Sequence, residues 1–113
     1  MTTASALTVE ILAGISERHL GVAWRSNVVR AMAIGRGGKP RMISAGIEGQ
    51  GDITGILIDG RRCEIEIKIG RDQQSDKQKA FQRMIEKHGG VYVVARDKEE
   101  CLACIAARLR MKI

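Results

Sequence analysis

The sequence predicts an α/β layer structure, a central mixed β-sheet flanked by helices, and three observations predict it. Asp59-Gly60 stands between two β-prone runs, Ile53 to Ile58 and Arg62 to Ile69, which is a strong hairpin pattern. An amphipathic stretch from Ser75 to His88 follows the hairpin, and a short apolar run, Val91 to Ala95, follows that stretch. A strand reached from another strand through a helix pairs with it in parallel, so part of the sheet is expected to be parallel.

The elements are read in order. Leu7, Ile11, Ile15 and Leu20 fall near helical spacing, so a first helix is expected from about Ala6 to Leu20, with Gly21 as its stop. Val22 to Ile34 is rich in Val, Ala and Met and reads as one or two short strands. The run Gly35-Arg36-Gly37-Gly38-Lys39-Pro40 then reads as a flexible basic loop. It has neither the four-residue glycine spacing nor the Lys-Ser/Thr of a P-loop, so no nucleotide cofactor is expected. In the second hairpin strand Cys63, Ile65, Ile67 and Ile69 alternate with Glu64, Glu66 and Lys68, which places the two sets on opposite faces. Ser75 with Gln78 three residues on forms a capping box. Ala80, Phe81, Met84 and Ile85 make that helix's apolar stripe, and Gly89-Gly90 ends it. Asp97 caps a last helix with Glu100 as its partner, and Leu102, Ile105, Ala106 and Leu109 line the buried side. The expected order is α-β-β-β-β-α-β-α.

A length of 113 residues allows one domain, 1–113. Apolar residues make up 44%, enough for a core. Aromatics are only 3%, namely Trp24, Phe81 and Tyr92, so the core is aliphatic and a multi-aromatic base-stacking platform is not expected. No apolar run approaches ~20 residues, so no transmembrane helix is expected. The first residues lack the basic-then-apolar layout of a signal peptide, which predicts an intracellular protein. Cys63, Cys101 and Cys104 are an odd number and suggest no disulfide framework. Cys101-x-x-Cys104 looks like half a zinc site, but it lies on an amphipathic helix with no second Cys/His pair at suitable spacing, so no zinc is expected.

Nineteen Lys and Arg against thirteen Asp and Glu give +6. A small basic domain inside a cell most often meets nucleic acid; the bland alternative is surplus surface charge. The charge is spread rather than blocked, over Arg25, Arg30, Arg36, Lys39 and Arg41 and then Arg61, Arg62, Lys68, Arg71, Lys77 and Lys79. That spread suits phosphate contacts from a folded surface.

Chemistry concentrates on the polar face of the second hairpin strand. Glu66 and Lys68 leave the same side of the sheet, and Asp52 starts the partner strand. With a three-residue loop, Asp59 to Arg61, Asp52 lies opposite Lys68; with a two-residue loop it lies opposite Ile67 on the apolar face. The sequence leaves the register open, because a slip of one residue flips the face. Chemistry favours the first arrangement: two carboxylates on adjacent strands can hold one hard cation, and a neighbouring lysine can orient a water. Against this, Glu-Ile-Glu-Ile-Lys is also the pattern of any half-buried strand with a solvated face, and Asp52 after Gly51 can be a simple turn residue.

Four motifs in order sharpen the reading: Gly49-Gln50-Gly51-Asp52-Ile53-Thr54-Gly55, then Glu66-Ile67-Lys68, then Ser75-Asp76-Lys77-Gln78, then Gly89-Gly90-Val91-Tyr92-Val93-Val94. From roughly Arg25 to Ala107 the chain resembles the VRR-NUC domain, the virus-type replication-repair nuclease module of the PD-(D/E)xK superfamily, in its small stand-alone phage and bacterial form. The resemblance implies a PD-(D/E)xK restriction-endonuclease-like fold and a Mg²⁺- or Mn²⁺-dependent endonuclease acting on DNA, with branched forms such as four-way (Holliday) junctions as substrate. It also implies a bacterial or phage-infected host cytoplasm. By position it implies Asp52 and Glu66 as metal ligands, the backbone carbonyl of Ile67 as a third, Lys68 as the catalytic lysine and Gln78 as a glutamine close to the site. The capping box with Ser75 explains Gln78 equally well. On the first helix Glu10, with Glu17 as runner-up, matches an acidic residue facing the metal. Gly51 departs from the proline that commonly precedes the Asp. Arg25, in Arg25-Ser26-Asn27, resembles an arginine that follows the family's first helix and reads as a DNA-phosphate contact; Arg36, Lys39, Arg41, Arg71 and Lys77 complete the expected DNA-binding set.

A 12.4 kDa monomer offers little surface to read a junction, so a homodimer with paired sites is expected, with apolar residues of Val28–Ile34 and Met42–Ile47 facing the partner. The rival reading is a DNA-structure-binding module without catalysis. No membrane association is expected.

Overall fold

The computed structural model describes residues 2–26, 29–34, 36–38, 40–45 and 49–110, with the backbone alone for 29–34, 36 and 40–45. Helix α1 spans Ala4–Glu17. Thr3 caps it, its hydroxyl accepting from the Ala6 N–H at 3.0 Å, and Leu7, Thr8, Ile11, Gly14 and Ile15 form its buried stripe. It stops earlier than the apolar spacing predicts. His19 adopts φ +54, the left-handed turn expected of Gly21, and Leu20 enters the core from outside the helix with its N–H on the Ile15 carbonyl at 3.0 Å.

Strand β1 (Gly21–Arg25) pairs antiparallel with β4 (Ile53–Leu57), which pairs antiparallel with β5 (Arg62–Ile67). Helix α2 (Asp76–Lys87) leads to β6 (Val91–Ala95), which runs parallel to β5, and α3 (Lys98–Arg108) closes the chain. The sheet order is β1-β4-β5-β6. The chain is thus α/β, with a mixed four-stranded sheet flanked by helices, as the parallel step through α2 predicts. Both predicted caps are present. Ser75 and Gln78 form the reciprocal capping box of α2, and the Asp97 carboxylate accepts from the Glu100 N–H at 3.0 Å.

The stretch Val22 to Ile34 divides between two sheets. Strand β2 (Val29–Ile34) turns through a 3₁₀ segment at Arg36–Gly38 and pairs antiparallel with β3 (Pro40–Ala45) as a separate ribbon. The chain therefore has one strand more before α2 than the sequence order predicted. Pro40 occupies the first position of its strand, where the missing N–H costs least.

Helices α1 and α3 cover one face of the sheet. Leu7, Ile11, Ile15, Leu102, Ile105 and Ala106 pack there on Ile53, Leu57, Cys63, Ile65, Ile67, Val91, Val93 and Ala95. On the other face Phe81 and Ile85 of α2 pack on Tyr92, with Phe81 and Tyr92 edge to face at 6.3 Å. Among the described residues no helix is long and apolar enough to cross a membrane.

Candidate active site

The β4–β5 turn fixes the register that the sequence left open. The turn is Ile58 to Gly60, closed by Leu57 N–H to Arg61 O at 2.9 Å and Gly60 N–H to Leu57 O at 2.8 Å. Ile53 pairs with Ile65, and one further step puts Asp52 across from Glu66. The expected pairing with Lys68 is therefore corrected by two residues. Because the side-chain period is two, that shift keeps Asp52 in register with the Glu-bearing face.

Asp52 is exposed at the strand end, and its Oδ2 accepts from the Ile67 N–H at 2.7 Å. The glycines before it are required by close approach. A Cβ on Gly51 would stand 2.8 Å from the Ile65 carbonyl oxygen, and one on Gly49, at φ +81, would stand 2.3 Å from the Lys77 carbonyl oxygen. A proline at position 51 would bring such a Cβ against the Ile65 carbonyl. Asp52 lines a cleft of about 400 Å³ with Arg25, Ser26 and Ile67 and with Ala4, Ser5 and Thr8 of α1.

Glu66 is 0% exposed. Its Oε1 accepts from the Tyr92 hydroxyl at 2.5 Å and from Gln74 Nε2 at 3.4 Å. Its Oε2 makes no hydrogen bond among the described residues and is ion-paired with Lys68 Nζ at 3.5 Å. The Lys68 side chain is itself 13% exposed. Burial, and then the hydrogen bond to Glu66, push the Tyr92 phenol well above its usual range, which keeps it a donor.

Glu64, the other carboxylate of the strand, is also 0% exposed. Both of its oxygens are satisfied: Oε2 by the Thr54 hydroxyl at 2.8 Å, Oε1 by Arg62 Nη2 at 2.8 Å. Thr54 gives its one hydrogen to Glu64, so at the 2.6 Å contact between Ser26 Oγ and Thr54 Oγ1 the serine is the donor. Ser26 N–H also bonds the Asp52 carbonyl at 2.9 Å. A polar chain therefore runs from Glu64 through Thr54 and Ser26 to the backbone of Asp52, and fixes the strand end beside Arg25.

The structure brings together Asp52, Ile67 and Arg25 in the cleft, and Glu66 with Lys68 on the adjoining face. It does not bring Glu10 there. Glu10 and Glu17 are exposed on α1, and Ala4, Ser5 and Thr8 are the helix residues in the cleft, because Glu10 lies about 200° around the helix from Thr8. Gln78 is in the capping box that the sequence predicts. Its Oε1 is committed to the Ser75 N–H at 2.8 Å, and the glutamine that reaches Glu66 is Gln74, braced by Gln82 Oε1 at 2.8 Å. Arg71 and Lys77 are exposed. The side chains of Arg36 and Arg41, and all of Lys39, lie outside the described residues, as do the side chains of the Val28–Ile34 and Met42–Ile47 segments.

Gln74, Gln82, Tyr92, Thr54 and Glu64 were not singled out as site residues from sequence. One rule could have found them. The crossover helix between two parallel strands packs on one face of the sheet, so with the remaining helices on the other face the carboxylates of β5 are buried and need donors nearby. Cys101 is buried and Cys104 exposed on α3, the arrangement of a core cysteine beside a surface one rather than of a ligand pair. Burial pushes the thiols of Cys63 and Cys101 up to about 12. Among the described residues no three His, Cys, Asp or Glu side chains converge. No protein-family model matches the chain, and no curated protein matches it.

The donor set suits a hard divalent cation on one observation. A buried carboxylate oxygen without a hydrogen bond, Oε2 of Glu66, lies at the strand end that carries a second carboxylate.

Proposed function

We propose that the chain is a metal-dependent DNA endonuclease of the VRR-NUC type, on a PD-(D/E)xK restriction-endonuclease-like fold. The observation that carries the reading is the buried Glu66 Oε2, with Lys68 Nζ beside it and Asp52 across the register. Asp52, Glu66 and the Ile67 carbonyl would hold Mg²⁺ or Mn²⁺. That ion, when bound, polarises the phosphate and offsets charge developing on its oxygens. Lys68 orients the attacking water from the Glu66 face, and Tyr92 and Gln74 keep Glu66 in place. Arg25 at the cleft rim takes a phosphate, and the net charge of +6 favours a polyanion. Branched DNA is the proposed substrate, cut by a homodimer. The described surface that supports a dimer is the free edge of the sheet, where Val22, Trp24 and Ile56 stand exposed on the Glu-bearing face beside Ile58.

A second reading, a DNA-structure-binding module without catalysis, is favoured by one observation. Asp52 is bonded to the Ile67 N–H and Glu66 is paired with Lys68, so both carboxylates have partners within the chain. Labelled linear, flap and four-way DNA incubated with Mg²⁺, Mn²⁺ or EDTA separates the two. The nuclease reading expects cleavage with either metal, strongest on branched DNA, and none in EDTA. Binding without cleavage under every condition contradicts it.

A further inference from the structure

Of the four oxygens on Glu64 and Glu66, three accept hydrogen bonds and Glu66 Oε2 does not. A carboxylate turns readily about its last torsion, so nothing within Glu66 itself decides which oxygen is left open. Tyr92 decides it. In the parallel register Tyr92 stands beside Glu64, yet its hydroxyl crosses to Glu66, because Thr54 and Arg62 already satisfy Glu64. The ring is buried and held by Phe81, so the hydroxyl position is fixed by packing and not by the carboxylate. Gln74 adds a longer second bond to the same oxygen, Oε1.

We infer that Tyr92 is a positioning residue that clamps Glu66 Oε1 and thereby presents Oε2, beside Lys68, to a divalent cation. The inference rests on the reading of Glu66 as a cation ligand. Donors behind a ligating carboxylate fix its orientation, and their loss weakens metal binding by about 10–100-fold.

The test is calorimetric titration of Mn²⁺ into the whole chain, as wild type, Glu66→Gln, Tyr92→Phe and Gln74→Leu, with a thermal melt of each. Tyr92→Phe is expected to bind Mn²⁺ about tenfold more weakly while remaining folded by its melt. Gln74→Leu, which removes the longer bond, is expected to bind about two- to fivefold more weakly, and it carries the test if Tyr92→Phe fails to fold. Wild type that binds no Mn²⁺, or Glu66→Gln that binds it as well as wild type, overturns the underlying reading together with this one. Wild-type binding that is lost in Glu66→Gln but unchanged in both Tyr92→Phe and Gln74→Leu overturns the clamp alone.

Discussion

Beneath α1 and α3 the sheet presents Ile53, Leu57, Cys63, Ile65, Ile67, Val91, Val93 and Ala95, all apolar and all buried. The same strands turn Thr54, Glu64, Glu66 and Tyr92 toward α2, and these are buried as deeply. The first face stabilises by removing aliphatic surface from water, about 25 cal/mol per Å². The second desolvates two carboxylates, which costs free energy that hydrogen bonds recover for Glu64 and only in part for Glu66. A fold that needed only stability would carry apolar side chains on both faces of a half-parallel sheet. The difference between the faces is the physical ground for the proposal that Glu66 belongs to a functional site.

The largest effect that separates the faces is on cleavage. Asp52→Asn and Glu66→Gln are each expected to lower DNA cleavage in Mg²⁺ by roughly a thousandfold or more, about 4 kcal/mol of barrier, while melting close to wild type. Gel assays at matched folded concentration check this, and cleavage within tenfold of wild type counts against it. The reverse pattern is expected on the dry face. Leu102→Ala or Ile105→Ala costs about 2–5 kcal/mol in urea unfolding and leaves cleavage per folded molecule unchanged.

Smaller effects sharpen the contrast between the two buried glutamates. Glu64→Gln keeps an oxygen for Thr54 but turns an amide donor toward the half-exposed Arg62, losing both the charge and the acceptor there, so it costs about 1–3 kcal/mol and leaves Mn²⁺ affinity intact. A variant that binds Mn²⁺ as poorly as Glu66→Gln would move the cation to the wrong glutamate.

The dry face also has its own pH dependence. The Cys63 and Cys101 thiols titrate at about 12 in the fold against 9.0 unfolded. The folded state thus holds their protons more tightly, so their contribution is complete below pH 9, falls as pH rises and is lost through pH 12. Urea midpoints should drop between pH 9 and 11 in wild type, and less in Cys63→Ala; equal slopes would contradict the burial of that thiol.

The capping box and the hairpin were legible because each is set by residues within a few positions of one another. Ser75 with Gln78, and Asp59-Gly60 between β-prone runs, need no distant partner to act. The register of Asp52 was not legible, because a turn at Ile58–Gly60 differs from one at Asp59–Arg61 only in which carbonyl closes it. The end of α1 was misread for the same kind of reason: His19 takes the left-handed conformation that glycine adopts more easily. The burial of Glu64 and Glu66 was hidden by the alternation itself, which looks identical whether the polar face meets water or α2. Tyr92 and Thr54, far apart in the chain, supply buried hydroxyl donors to that face. Of the candidate site, the two carboxylates and the lysine were readable as a spacing, whereas the contact of Gln74 rather than Gln78 with Glu66 depended on how the chain approaches the N-cap of α2.

Thermal melting of wild type and Glu66→Gln, each in EDTA and in millimolar Mn²⁺, tests the central claim most directly. A cation bound only by the folded state raises stability by RT ln(1 + [L]/Kd), about 2.7 kcal/mol at a hundredfold excess over Kd. The account predicts that Mn²⁺ raises the melting temperature of wild type by several degrees, and that Glu66→Gln melts at or above wild type in EDTA and gains nothing from Mn²⁺. No metal-dependent shift in wild type, or the same shift in both proteins, would contradict it.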